Sequence, residues 1–517
     1  MRTNNFYYQA NIFFVNYLKK NILVLLLLLY SQLSYAGANF GQIKTFGFDY
    51  LNFNTPDRLK QLSWLAKRHD WIIGGNPNNI TYYNTVKNAN PNTKIMNYLP
   101  MHSISPEDAA FLENWAVQHG KNVEEIYYHY YKDTTLNLAG GPKTFPGFDP
   151  GNPDASAATL REARARTRWN GGWPAINPSS RTFRDAFLAL AAVKSKIAGT
   201  SNTWYDGLFL DTFHGLADEG YDSGHIENTI ELRNVGTGDN DTEAKYARIR
   251  QDLTELKVEL DNYLKKVSGN PSFLVLPNAG NIDAPYYWFS NLYNDIDAYP
   301  ALAIEFLIQS TTGREIIPRL QQAYDDMIRG RQLFLRSQTN VVDSPNLTDG
   351  FKQFILAAQY LINNPNAYFM YHLGNPNAYN GYPRGDLRNS HWNKNMEVNF
   401  GEPVTRNTAD YWGKTGTNRF FNYREGQVNG SKYTVLGREF SNGLVLARFA
   451  RGGLATIGSN KITITLDREY SRLLPDNTYS APSTTVILGE SEGAILIKNP
   501  LLKAPASPSD LKLQINN

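Results

Sequence analysis

The sequence predicts an α/β protein: a (β/α)8 TIM barrel followed by a small C-terminal all-β sandwich. Two observations lead there. Eight short apolar segments alternate with helical patterns between residues 46 and 372, and the last hundred residues change to evenly spaced strand-like runs. A strand of a parallel barrel is buried on both faces and so reads as a continuous apolar run.

The first strand is Phe46-Gly47-Phe48-Asp49-Tyr50-Leu51. After it, Thr55 to His69 places Leu59, Leu62, Leu65 and Ala66 on one helical stripe. Trp71–Gly75 is the second strand and Lys94–Leu99, with Tyr98 near its end, the third. The fourth, Gly207 to Leu210, ends in a carboxylate, Asp211, while Asp206 opens it at the opposite end. Asp241 to Lys266 is a long helical pattern leading to the fifth strand, Phe273–Asn278. Ala301–Phe306, Gln332–Arg336 and Ala367–His372 complete the set, separated by helices at Thr311–Arg329 and Thr348–Asn363.

The barrel domain is expected over residues 37–419, with long loops after its third, fourth and eighth strands. The third loop, His102 to about Arg181, opens on Ser105-Pro106-Glu107-Asp108, which matches a capping box, and continues with a tyrosine-rich helix. The fourth, Thr212 to Asn240, is rich in Gly, Asp and Asn, and the eighth begins at Gly374. All follow the C-terminal ends of strands, and loops of this length form lids or binding walls. Residues 420–503 carry the β-sandwich pattern, with strands at 433–436, 443–449, 461–466, 485–488 and 494–497. Its aromatics Tyr433, Phe440, Phe449, Tyr470 and Tyr479 are scattered, which reads as a structural buttress and not a stacking platform. A polar tail, 504–517, follows.

Residues 1–36 read as a signal peptide: Lys19 and Lys20 precede the apolar run Ile22–Leu29, then Ser34-Tyr35-Ala36 offers a small-residue cleavage site. An uncleaved N-terminal anchor is the other reading. Cleavage removes three cations and no acid, taking the formal net charge from +3 to zero. A secreted or periplasmic protein with no electrostatic attraction to nucleic acid or membrane is expected. The absence of cysteine excludes disulfides, thiolate metal sites and a lipoprotein anchor. Aromatics make up 13% of the chain, and those around Tyr127-Tyr128, Trp169, Trp173, Tyr286-Tyr287-Trp288 and Trp392 lie outside the strands. Flat rings in loops suit sugar C–H faces, though most must be packing residues.

Catalytic groups of such barrels sit at the C-terminal ends of strands, which singles out Asp211 and, on the sixth strand, Glu305. Glycoside hydrolysis needs one carboxylate that attacks or stabilises the anomeric carbon and a second that protonates the leaving oxygen. Asp211 suits the first role and Glu305 the second. The competing readings are a loop cap for Asp211 and an ion pair with Arg336 for Glu305. Asp49, Tyr98, His214, Asn278, Arg336 and His372 are the expected substrate-binding residues. For Asp49 and both histidines a structural role is equally open.

The Tyr205–Thr212 strand, the Ala303-Ile304-Glu305-Phe306 strand and the run Arg438–Leu446 resemble the glycoside hydrolases grouped as glycoside-hydrolase-like family 15. More distantly they resemble barrel α-galactosidases and endo-polygalactosaminidases, and Gly489–Leu496 is similar to the closing strand of the β-domain that follows many such barrels. The resemblance covers nearly the whole chain after the signal, on short motifs. It implies retaining chemistry with the nucleophile at the fourth strand and the acid/base at the sixth, here Asp211 and Glu305. The chain departs from the α-galactosidases in carrying Glu at the sixth strand, where they carry Asp.

Other chemistries lack their residues. The eight histidines contain no i, i+4 pair and no H-x-H, and no phosphate-binding glycine pattern follows a strand. No metal and no cofactor is expected. Gly489-Glu490-Ser491-Glu492-Gly493 matches the serine-hydrolase string G-x-S-x-G but leads into an apolar strand, whereas a nucleophile elbow requires strand, turn and helix. Two classes remain: a glycoside hydrolase acting on a polysaccharide or oligosaccharide, and a barrel that binds glycans without cleaving them.

Overall fold

A computed structural model describes residues 41–49, 57–74, 80–101, 104–138, 140–149, 157–166, 173–200, 202–211, 213, 228–233, 235–236, 242–280, 293–304, 313–338, 349–372, 394–449 and 457–498. The expected signal peptide, the tail, Trp169, Tyr286–Trp288 and Trp392 lie outside them.

All eight expected barrel strands form. In chain order they are β1 (Phe46–Asp49), β2 (Trp71–Gly74), β3 (Lys94–Pro100), β6 (Gly207–Asp211), β7 (Leu274–Pro277), β8 (Ala301–Ile304), β9 (Gln332–Gln338) and β10 (Ala367–His372), β4 (Thr134–Leu138) and β5 (Gly141–Phe145) being an inserted hairpin. Five pair in parallel in the order β1-β2-β3-β6-β7, and three in the order β10-β9-β8. Two parallel bridges, Asn278 with Ala303 and Thr45 with Phe369, join these sheets at both edges and close the ring.

The lumen is filled by alternate residues: Phe46 and Phe48, Trp71 and Ile73, Met96, Phe209, Leu276, Ala301 and Ala303, Phe334 and Met370 form one core cluster. Aromatics meet edge to face inside it, Phe48 with Phe209 at 5.2 Å and Phe46 with Phe334 at 5.4 Å. The other parity of each strand faces the helices. In chain order the helices are α1 (Arg58–Ala66), α2 (Ile80–Ala89), α3 (Pro106–Gln118), α4 (Ala157–Glu162), α5 (Arg181–Ser195), α6 (Thr242–Ser268), α7 (Gly313–Ile328) and α8 (Asp349–Ile362), of which α3 and α4 belong to the insertion after β3. Asp206 binds at the N-terminal end of its strand, to Lys87 at 3.0 Å and to the Ile95 amide at 2.9 Å.

The insertion after β3 starts as expected, Ser105 accepting the Asp108 amide at 3.1 Å at the head of α3. The tyrosine-rich stretch is not a helix. After one 3-10 turn, Val123–Ile126, it runs extended and bridges Ile176, Arg164 and Thr229. Tyr127, Tyr128 and Tyr130 are fully buried in the core cluster they share with α5, α6 and the outer faces of β3 and β6, and so form no sugar platform. Burial alone would lower the pKa of His129, but hydrogen bonds to Glu124 and Glu231 raise it to about 9.

The C-terminal strands are β11 (Phe421–Val428), β12 (Ser431–Phe440), β13 (Gly443–Phe449), β14 (Ile462–Arg472), β15 (Ser483–Leu488) and β16 (Glu492–Ile497). They form one six-stranded antiparallel sheet, β11-β12-β13-β16-β14-β15, whose long β14 pairs with β15 at its start and with β16 at its end. The two layers of the sandwich are therefore two regions of a single curled sheet around Val435, Leu446, Ile464 and Leu488. Its outer face packs on α8, where Phe354 meets Phe449 at 5.1 Å. Approach there is close: a Cβ on Gly493 would lie 2.6 Å from the Gln353 carbonyl oxygen. The G-x-S-x-G string thus supplies a strand-to-strand turn and a packing glycine, with Ser491 itself at φ 51°.

Candidate functional site

Asp211 ends β6 at the C-terminal mouth, on the same strand parity as the lumen residue Phe209. Its backbone is fixed from both neighbours. The Met101 amide donates to its carbonyl at 2.9 Å, and the Asn278 amide donates to the Leu210 carbonyl at 2.8 Å. Its half-buried carboxylate is oriented from the same two sides. The Tyr98 hydroxyl, from β3, donates to Oδ2, and the Asn278 Nδ2, past β7, donates to Oδ1 at 2.7 Å. Both donors are themselves held. The Tyr98 ring stacks on Phe209 with centroids 5.7 Å apart, and Asn278 Oδ1 accepts the Gly280 amide at 2.9 Å. A floor of Phe48, Phe209 and Leu276 lies beneath. Dry apolar walls strengthen every electrostatic interaction made above them.

Three of the expected site residues therefore meet: Asp211, Tyr98 and Asn278. Tyr98 and Asn278 hold the carboxylate, a positioning role beyond the sugar contact expected of them. Arg336 enters the lumen as well, its guanidinium carbon 5.5 Å from the centroid of the Phe48 ring. His372 closes β10 opposite Gln338. Glu305 and His214 lie outside the described residues.

Asp49 does not join this group. It has the opposite parity to Phe46 and Phe48, so it faces the helices, with its side chain only 1% exposed. There it pairs with Arg58 of α1 at 3.3 Å and lies against Tyr82 of α2. Burial, then the Asp49 charge, pushes the Tyr82 phenol pKa well up. The structure gives Asp49 a helix-docking role in place of the expected substrate contact. Strand parity, read from the two phenylalanines, was the signal that separates Asp49 from Asp211.

Among the described residues no group of three or more His, Asp or Glu side chains could hold a metal ion, and no helix is long and apolar enough to cross a membrane.

No protein-family model and no curated protein matches the chain. Among solved structures it is similar to trehalulose synthase MutB from Pseudomonas mesoacidophila MX-45, at 10% identity and a TM-score of 0.45, over 89% of this chain and 99% of that one. It is also similar to isomaltulose synthase SmuA from Protaminobacter rubrum, at 9% identity and a TM-score of 0.44, over 89% and 99%. The fold itself rests on the closed parallel register of eight strands and not on these distant likenesses.

Proposed function

We propose that the protein is a secreted glycoside hydrolase that cleaves a polysaccharide or oligosaccharide by a retaining mechanism. The observation that carries the reading is the Asp211 carboxylate, held at the mouth of the barrel by two donors from the two adjacent strands. A side chain fixed from both sides over an apolar floor is preorganised, as a group that must attack or stabilise an anomeric carbon needs to be. Tyr98 and Asn278 set its rotamer and keep both oxygens in acceptor roles. A retaining reaction requires a second carboxyl about 5–5.5 Å away. We assign that part to Glu305, two residues beyond the lumen-facing Ala303 in sequence, as acid and then base. Arg336, at a lumen position on β9, supplies donors for sugar hydroxyls or for the acid.

The chemistry follows in two steps. Asp211 attacks the anomeric carbon as Glu305 protonates the departing oxygen, forming a covalent glycosyl ester. Glu305, now a carboxylate, takes a proton from water, which hydrolyses the ester and releases Asp211. Secretion rests on the signal-peptide pattern of residues 1–36. The test is a screen of the purified protein against a polysaccharide panel, scored by new reducing ends. Products with retained anomeric configuration support the reading. Glycan binding with no cleavage of any member would make the barrel a binding protein.

A further inference from the structure

The curled C-terminal sheet has a second surface that plays no part in packing on α8. A cavity of about 330 Å³ opens there, between the start of β11, the end of β12, β14 and the segment that precedes β11. We propose that this cavity is a binding site for a neutral saccharide, separate from the barrel mouth.

Its shape and chemistry are those of a ligand site. The volume is within the range of about 300–1,000 Å³ typical of small-molecule pockets. The floor is apolar and buried, made by Phe421, Leu444 and Tyr470. The wall carries a half-exposed ring, Tyr423, 5.9 Å from Phe421 and tilted 40° to it. An aromatic face beside an apolar floor suits the C–H surface of a pyranose.

Polar groups of both kinds surround that floor. Arg406 lies 4.0 Å from the centroid of the Phe421 ring and pairs with Glu439 at 2.9 Å. Glu439 is also paired with Lys498 at 2.9 Å. Asp467, on the opposite rim, takes Arg468 and the Tyr470 hydroxyl, each at 3.1 Å. Each carboxylate keeps lone pairs beyond these bonds, and Asn422 adds an amide that both donates and accepts.

Charge decides the ligand class. The lining holds one guanidinium and two carboxylates, and each carboxylate already has a cation against it. A phosphate or carboxylate ligand would face Glu439 and Asp467, while an ammonium would face Arg406. A polyol meets neither repulsion, because its hydroxyls donate hydrogen bonds to the carboxylates and accept them from the guanidinium.

The cavity depends on β11, whose polar sequence Tyr423-Arg424-Glu425-Gly426-Gln427 shows no apolar run. That strand brings Tyr423 and Phe421 beside Tyr470, which in sequence stands isolated.

The test uses the full chain and titration calorimetry with glucose, galactose, N-acetylgalactosamine, maltohexaose and cellohexaose, with inorganic phosphate and tetramethylammonium as charged probes. At least one saccharide binds and the charged probes do not. Tyr423→Ala and Asp467→Asn each weaken that binding by roughly tenfold or more, as loss of a stacking or charge-assisted contact implies. Tyr423→Phe, which keeps the ring, retains it and shows that the fold tolerates change there. Cleavage of a short soluble substrate is the same in all three variants, so failure here and failure of the barrel reading are distinguishable. Binding by no saccharide, parent-like binding by Tyr423→Ala and Asp467→Asn, or tighter binding of either charged probe would overturn the proposal.

Discussion

Arg438 joins the β-domain to the barrel, and replacing it by Met measures how much that joint contributes. The residue is on β12 and is fully buried, yet its guanidinium reaches the C-terminal end of α8. Nη1 donates to the carbonyls of Asn363 at 2.7 Å, Leu361 at 3.1 Å and Tyr360 at 3.4 Å, and Nε to that of Asn418 at 3.2 Å. A cation at a helix C-terminus satisfies carbonyls that have no partner within the helix and complements the helix dipole. Burial pushes the Arg438 pKa down, so part of the gain is offset by desolvation. Met preserves the aliphatic stem but removes the charged donor those carbonyls share, and with hydrogen bonds to a charged group worth about 1.5–3 kcal/mol each, losing the shortest two costs about 3–5 kcal/mol. With an unfolding entropy near 2.1 cal/mol/K per residue over roughly 480 residues, the melting temperature should fall by about 3–5 °C. Differential scanning calorimetry of the parent, Arg438→Met and Arg438→Lys tests this, the lysine restoring part of the loss with one ammonium. A Met variant melting within about 1 °C of the parent would show that this joint adds little to stability.

Glu305→Gln should slow substrates with poor leaving groups far more than activated aryl glycosides, which need little protonation; equal losses on both would remove Glu305 from the acid role. Asp49→Asn should lower stability by about 1–3 kcal/mol and leave kcat/KM nearly unchanged, because it breaks a helix-docking ion pair outside the lumen. His69 is fully buried, and its pKa is lowered to about 3, first by desolvation and then by Arg68. The unfolded chain binds a proton there below about pH 6.5 while the folded one does not, so stability falls as pH drops from 6.5 toward 3. The difference between pH 8 and pH 5 is about 2 kcal/mol, and urea midpoints of His69→Gln should lack it. Deleting residues 420–517 should give an insoluble barrel, because α8 packs its buried Phe351, Phe354 and Ala357 against β13 and β16; a soluble, active truncation would contradict that.

The barrel was legible because each of its strands is an apolar run between helical patterns, and the eight positions read from sequence fall on the eight strands observed. Three helices went unread. The six-residue α4, Ala157–Glu162, is too short to show a stripe. In α2, Ile80–Ala89, only Tyr82 and Val86 are buried, too few for a clear stripe. In α5, Arg181–Ser195, buried Thr182, Arg184 and Ser195 blur the stripe carried by Phe183, Phe187 and Leu190. Strand β11 escaped because only Phe421 in it is buried, the rest of this edge strand being half-buried or exposed and mostly polar, and the cavity it helps to build escaped with it. The tyrosine-rich stretch misled for a different reason. Its spacing fits a helix, but its partners, Arg164, Ile176 and Thr229, are far away in sequence. At the mouth, position along a strand placed Asp211 at the C-terminal end of β6, whereas parity was needed to send Asp49 to the other face.

Asp211 as the group that attacks or stabilises the anomeric carbon is tested most directly by the turnover of Asp211→Asn on any saccharide the parent cleaves. Asn keeps the size of the side chain and can still accept from Tyr98. The expected variant is folded, with the parent's circular dichroism and a similar melting temperature, and its kcat is lower by roughly 10³-fold or more. A folded Asp211→Asn protein with undiminished turnover would contradict it.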